Sequence, residues 1–170
     1  MNYKNNRSIA TLLIATCCAF APLTTAFADH HEPAQTLTGK VQQFYAKLSA
    51  GEFADAMDML KVGSGGFVAH GMLIEIASEQ VKQYAAAQMQ KDRDDKGVSL
   101  SLQPKHINIH PLGEGTAVAT FYIQGTVSIE GREEDEHFIN RGSLVFTKDG
   151  DDWKIAHFHV SELTVEGEED

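Results

Sequence analysis

Near the end of the chain, in the stretch DDWKIAHFHVSEL that begins at Asp151, His157, His159 and Ser161 alternate. On a strand, alternate side chains share a face and stand about 6.5–7 Å apart along it. Trp153, Ile155, His157, His159 and Ser161 then point one way, and Lys154, Ala156, Phe158, Val160 and Glu162 the other. An imidazole can serve as base, acid, metal ligand or hydrogen-bond donor. Two of them beside a hydroxyl make a reactive site, a metal site or a polar pocket wall.

Other residues could join them. Arg141 belongs to the preceding strand. Facing a half-apolar cavity, it requires a carboxylate partner or an acidic ligand, because an unpaired buried charge is costly. Facing outward, it is a surface or subunit-contact residue, and parity leaves both open. Tyr45, Tyr84 and Tyr122 could each offer a hydroxyl or simply pack. His70, beside Gly71 in the glycine-rich stretch KVGSGGFVAHGM, is a loop candidate. A zinc site would need His157 and His159 plus a third ligand such as His137. There is no HExxH motif, and both cysteines, Cys17 and Cys18, lie near the N-terminus.

Those side chains need elements to hold them. Val41, Phe44, Tyr45 and Leu48 recur at helical spacing until Gly51, and Phe53, Met57 and Leu60 mark a second, short helix. The glycine-rich stretch reads as loop. Ser78 caps a third helix through about Lys96, with Val81, Tyr84, Ala85 and Gln88 on one stripe, and Gly97 ends it. Beyond Gly97, four β-rich runs are separated by PLGEG, EGREED and KDGDD, which are turn compositions. Pro104 belongs at a sheet edge or a bulge. Three helices followed by four long antiparallel strands make an α+β domain. A sheet that curls around the first helix becomes a cone, with one open end as the ligand site.

The first residues stand apart. Lys4 and Arg7 precede an apolar run from Ile9 to Phe20, and Ala26-Phe27-Ala28 offers small residues at the two positions read by signal peptidase. Residues 1–28 therefore read as a signal peptide cut after Ala28, giving a periplasmic or secreted protein. A lipoprotein anchored at Cys17 is the alternative, with Thr16 an unusual residue before a lipidated cysteine. Residues 29–36 form a polar lead-in, 37–164 the domain and 165–170 an acidic tail. Cleavage leaves 12 basic against 24 acidic residues, a net charge of −12 with neutral histidines. That balance excludes nucleic acid and an anionic membrane surface as partners of the mature form. With no cysteine left, disulfides and thiolate chemistry are excluded too. The new N-terminus, Asp29-His30-His31, would offer an amine, two backbone amides and an imidazole, a square-planar set suited to Cu(II) or Ni(II).

The pattern resembles the nuclear transport factor 2-like superfamily in its SnoaL-like branch, over about residues 37–164. The resemblance rests on KDGDDWKIAHFHVS and on the element order. It includes Arg141, Ser143 and Val145 as an Arg-x-Ser/Thr-x-Val element, and it extends to the association domain of calcium/calmodulin-dependent kinase II. It implies a cystatin-like α+β roll, with a curved antiparallel sheet on three N-terminal helices around a conical pocket. It also implies a homodimer or larger ring through the outer sheet face. The pocket would draw on Tyr45, His70, Tyr122, Arg141, His157, His159 and Ser161. The ketosteroid isomerase type needs a tyrosine and carboxylic acids in the cone, and the scytalone dehydratase type needs histidines backed by an acid. Neither acid is evident here. Two functions follow, both without cofactor. One is binding of a small organic molecule without turnover. The other is an isomerase or dehydratase with His157 or His159 as base and Tyr122 or Tyr45 as donor. An assembly role is a weaker third.

Overall fold

The computed structural model describes residues 31–68 and 71–163, with side chains from Ala34 onward in the first helix. Helix α1 (His31–Ala50) buries Leu37, Val41, Phe44 and Tyr45 on one stripe. Gly51, in the left-handed region at φ 79°, turns the chain into α2 (Phe53–Asp58). Lys47 braces that corner through Glu52 and Asp55. The third helix, α3 (Glu79–Lys96), starts at Ser78, whose Oγ accepts from the Val81 N–H, and ends at left-handed Gly97. Its inward side differs from the expected stripe. Val81, Ala85, Ala86 and Met89 face the core, while Tyr84 is 72% exposed. Among the described residues no helix is long and apolar enough to cross a membrane.

Six strands form one curved, unclosed sheet in the order β2-β1-β6-β5-β4-β3. The expected meander is present as β3 (Val98–Gly113), β4 (Thr116–Ile129), β5 (Glu136–Asp149) and β6 (Asp152–Glu162). The glycine-rich stretch is not the expected loop. Leu60–Phe67 is β1, parallel to β6 and antiparallel to β2 (Leu73–Ile76). Gly66 is a packing requirement, since a Cβ there would overlap the Phe158 carbonyl. Pro104 sits on the edge strand β3, just before a bulge between Lys105 and Asn108.

The face toward the helices is filled. Ala119, Phe121 and Ile123 of β4, Leu144 and Phe146 of β5, and Ile155 and Phe158 of β6 pack against α1 and α2 residues in one buried cluster. Fully burying such a side chain contributes about 1.5–3 kcal/mol. Ile155 and Phe158 are three apart, so alternation must break between them. Val145 pairs with His157 and Phe146 with Ile155, leaving Ala156 as an extra residue. This bulge reverses the face of everything after it. Trp153 and Ile155 point inward, and His157, His159 and Ser161 point outward, not onto one shared face as strict alternation requires.

Candidate functional site

The outward side chains of β3 to β6 meet in register. Tyr122, Arg141 and Ser161 are successive cross-strand partners and form one row across three strands. Thr120, Ser143 and His159 form the next row, extended by Asn108 on one side and Phe67 on the other. Neighbouring strands lie about 4.8 Å apart, so each row is a continuous ridge of functional groups. Between the rows runs a trough of about 680 Å³, lined by Tyr122, Arg141, Ser161, Thr120, Ser143 and His159 together with His106 and Asn108.

Within it, Arg141 Nη2 donates to the Glu162 main-chain oxygen at 3.0 Å, which fixes the guanidinium on this face. His106 stands in the left-handed region at φ 53°, inside the β3 bulge. That backbone is uncommon for any residue but glycine, although histidine is among the side chains enriched there. It brings the His106 ring edge-to-face with Tyr122, centroids 6.2 Å apart. Among the described residues no carboxylate lines the trough, although the chain carries 24 acidic residues. A second depression of about 430 Å³ adjoins it across His159 and Ser161, lined also by Phe67, Val68, Gly71 and Glu162.

The expected site residues divide accordingly. Tyr122, Arg141, His159 and Ser161 come together, but on the outer face of the sheet, not inside a cone. His157 shares that face one row further along, opposite Val145, and does not line the trough. Tyr45 is on the other side of the sheet, 4% exposed, with its ring edge-to-face against Phe44 and Phe121 at 5.3 and 5.5 Å. Burial pushes its hydroxyl far above the ordinary tyrosine range, so it stays protonated and structural. His137 contacts Thr126 Oγ1 through Nδ1 at 3.0 Å. Among the described residues no group of three or more His, Cys, Asp or Glu could hold a metal ion. His70 and the Asp29-His30-His31 side chains lie outside the described residues.

His106, Asn108 and Thr120 are trough residues that strand-by-strand reading did not single out, and Ser143 was named only as part of the Arg-x-Ser/Thr-x-Val resemblance. The signal was Pro104 followed by KHIN. A bulge there moves His106 onto the face that Lys105 occupies.

The model of the SnoaL-like domain family matches residues 40–166. No curated protein matches the chain. Among solved structures, a candidate scytalone dehydratase from Novosphingobium aromaticivorans is similar at 8% identity, with 76% of this chain and 83% of that one covered and a TM-score of 0.65. A candidate dehydratase of the NTF2-like family from Streptomyces avermitilis is 14% identical, with coverages of 79% and 98% and a TM-score of 0.63. A candidate calcium/calmodulin-dependent protein kinase II association domain from Xanthomonas campestris is 15% identical, with coverages of 76% and 86% and a TM-score of 0.58. At these identities the likeness is one of fold.

Proposed function

The chain belongs to the SnoaL-like domain family, and from that premise we propose that it binds a small organic acid, without turnover, on the outer face of its sheet. What carries the reading is the trough itself. It gathers Arg141, two histidines, three hydroxyl side chains and Tyr122 with no carboxylate among its described lining residues, on a chain of net charge −10. An arginine offers five N–H donors in a fork suited to a carboxylate, and the Glu162 carbonyl takes one. A volume of about 680 Å³ suits a small molecule. The reading without turnover is supported by the lining, where among the described residues no acid stands behind either histidine. Calorimetric titration of the protein with butyrate tests the reading. The expected result is saturable binding that Arg141→Ala weakens at least about tenfold, as for a lost charge-assisted pair. Binding that ignores the substitution, or no binding of butyrate or of any longer carboxylic acid, would sink it.

One observation favours a second reading, a cofactor-free isomerase or dehydratase. His106 is held in an unfavourable backbone conformation against the Tyr122 ring, and strain of that kind collects at functional sites. Turnover of an enolisable acid, lost in both His106→Ala and Tyr122→Phe, would replace the binding reading with this one.

The protein acts outside the cytoplasm in this proposal, after cleavage following Ala28, and as a homodimer. Support for the first is the leader composition. Support for the second is the outer face, where Tyr122 and Ile139 are 43% and 51% exposed. Two copies facing each other across it would roof the trough.

A further inference from the structure

We infer, building on the organic-acid reading, that the ligand is amphiphilic, with its acid head over Arg141 and an uncharged apolar tail running past His159 onto Phe67. The trough does not end at β6. His159 and Ser161 form the shared wall of the 680 Å³ trough and the 430 Å³ depression beside it. The two spaces differ in chemistry. The first holds the Arg141 guanidinium and, among the described residues, no carboxylate. The second has Phe67 and Val68 on one side and Glu162 on the other. The acid head belongs over Arg141, whose guanidinium is the cation of the joined spaces, and the tail over β1, where Phe67 and Val68 stand.

The apolar end is built for contact. The Phe67 ring lies 6.3 Å from that of His159 and is tilted 57° to it. Phe67 pairs with Leu73 across β1 and β2, and Met72 is next in the chain. These three side chains are 43%, 55% and 59% exposed. Phe67 and Leu73, directly opposed across β1 and β2 beside a polar trough, form an exposed apolar pair on one face, and exposed apolar patches mark binding sites. A ligand that bridges head site and patch must be at least as long as the step from β5 across β6 to β1, about 10 Å at ordinary strand spacing. That excludes acetate-sized acids and fits a medium-length acyl chain.

The test titrates the protein with butyrate, hexanoate and octanoate, and with octan-1-ol as the headless control. Affinity is expected to rise with length, about three- to fourfold for each methylene that reaches the patch. Octan-1-ol is expected to bind at least about tenfold more weakly than octanoate. Phe67→Ala should reduce octanoate to the butyrate level and leave butyrate unchanged, while Phe67→Leu should restore the length dependence. Arg141→Ala should weaken every acid. Equal affinity for butyrate and octanoate, with Arg141 still required, overturns the amphiphile but leaves the organic-acid reading standing. Octanoate binding indifferent to Phe67→Ala does the same. No binding of any acid overturns both.

Discussion

Ala156 decides which chemistry the final strand presents. As the extra residue opposite Val145 and Phe146, it turns His157, His159 and Ser161 away from the helices. The pairing of two histidines with a serine was legible from spacing, but their face was not. A bulge follows from packing, here from the need to bury both Ile155 and Phe158, and alternation alone carries no record of it. An ion pair at the start of the same strand gives a test at this scale. Lys40 on α1 bonds Asp152 at 2.6 Å, and this hydrogen bond, helped by the Trp153 N–H, holds the Asp152 carboxyl below the ordinary aspartate range. A folded-state value below the unfolded one contributes stability above the unfolded value and loses it as pH falls through the folded value. Asp152 is half exposed, so screening keeps the contribution under about 1 kcal/mol. Urea unfolding at pH 7 should show Asp152→Asn less stable than the parent by that small amount. The gap should narrow steadily as pH falls below the ordinary aspartate range, and a gap that keeps its full size there would contradict the assignment.

Glycine has opposite meanings in two elements. In β1 the stretch KVGSGGF looked like a loop because glycine is poor in strands. Its real determinant lies far away in sequence, in the close approach of Gly66 to the Phe158 carbonyl, which no local pattern reveals. The four long strands and three helices, whose periodicity is local, were legible. The α3 stripe was only partly so, because Tyr84 and Val81 are both consistent with a 3.6 period until packing chooses between them. Gly66→Ala should therefore destabilise by about 2–3 kcal/mol, since Cβ can be accommodated only by opening the β1–β6 ladder. Gly39, exposed on α1 with nothing near its absent Cβ, should behave inversely. Gly39→Ala should stabilise by about 0.5–1 kcal/mol through helix propensity. Chemical denaturation of the two variants checks both signs, and a stable Gly66→Ala would mean β1 does not lie against β6 as described.

At the scale of the whole molecule, charge is sorted by face. Outward positions of β3 from Ser99 to His110, of β4 from Thr116 to Ser128, and of β5 from His137 to Thr147 carry no carboxylate. The same face holds His106, His110, His137, His157 and His159, every histidine whose side chain is described. Acidic residues concentrate instead on the helices and in the β4–β5 turn. A chain with 24 acidic residues repels its own copies at most orientations, and the outward positions of β3 to β5, which carry no carboxylate, are where two of them can approach. The homodimer proposed above therefore has one natural interface, and carboxylates placed there should dissolve it. In a two-fold contact each substitution appears twice, so Val118→Glu combined with Ile139→Glu introduces four like charges across the contact. Since like charges facing each other across an interface cost several kcal/mol, the double variant should weaken self-association at least about 100-fold. Both positions point away from the core, so its circular dichroism spectrum should match the parent's. Sedimentation velocity from low to high micromolar concentration reads the outcome. A parent that remains monomeric throughout, or a double variant that dimerises as well as the parent, would remove the outer face as the site of assembly. The trough would then be an open surface site, complete in a single copy.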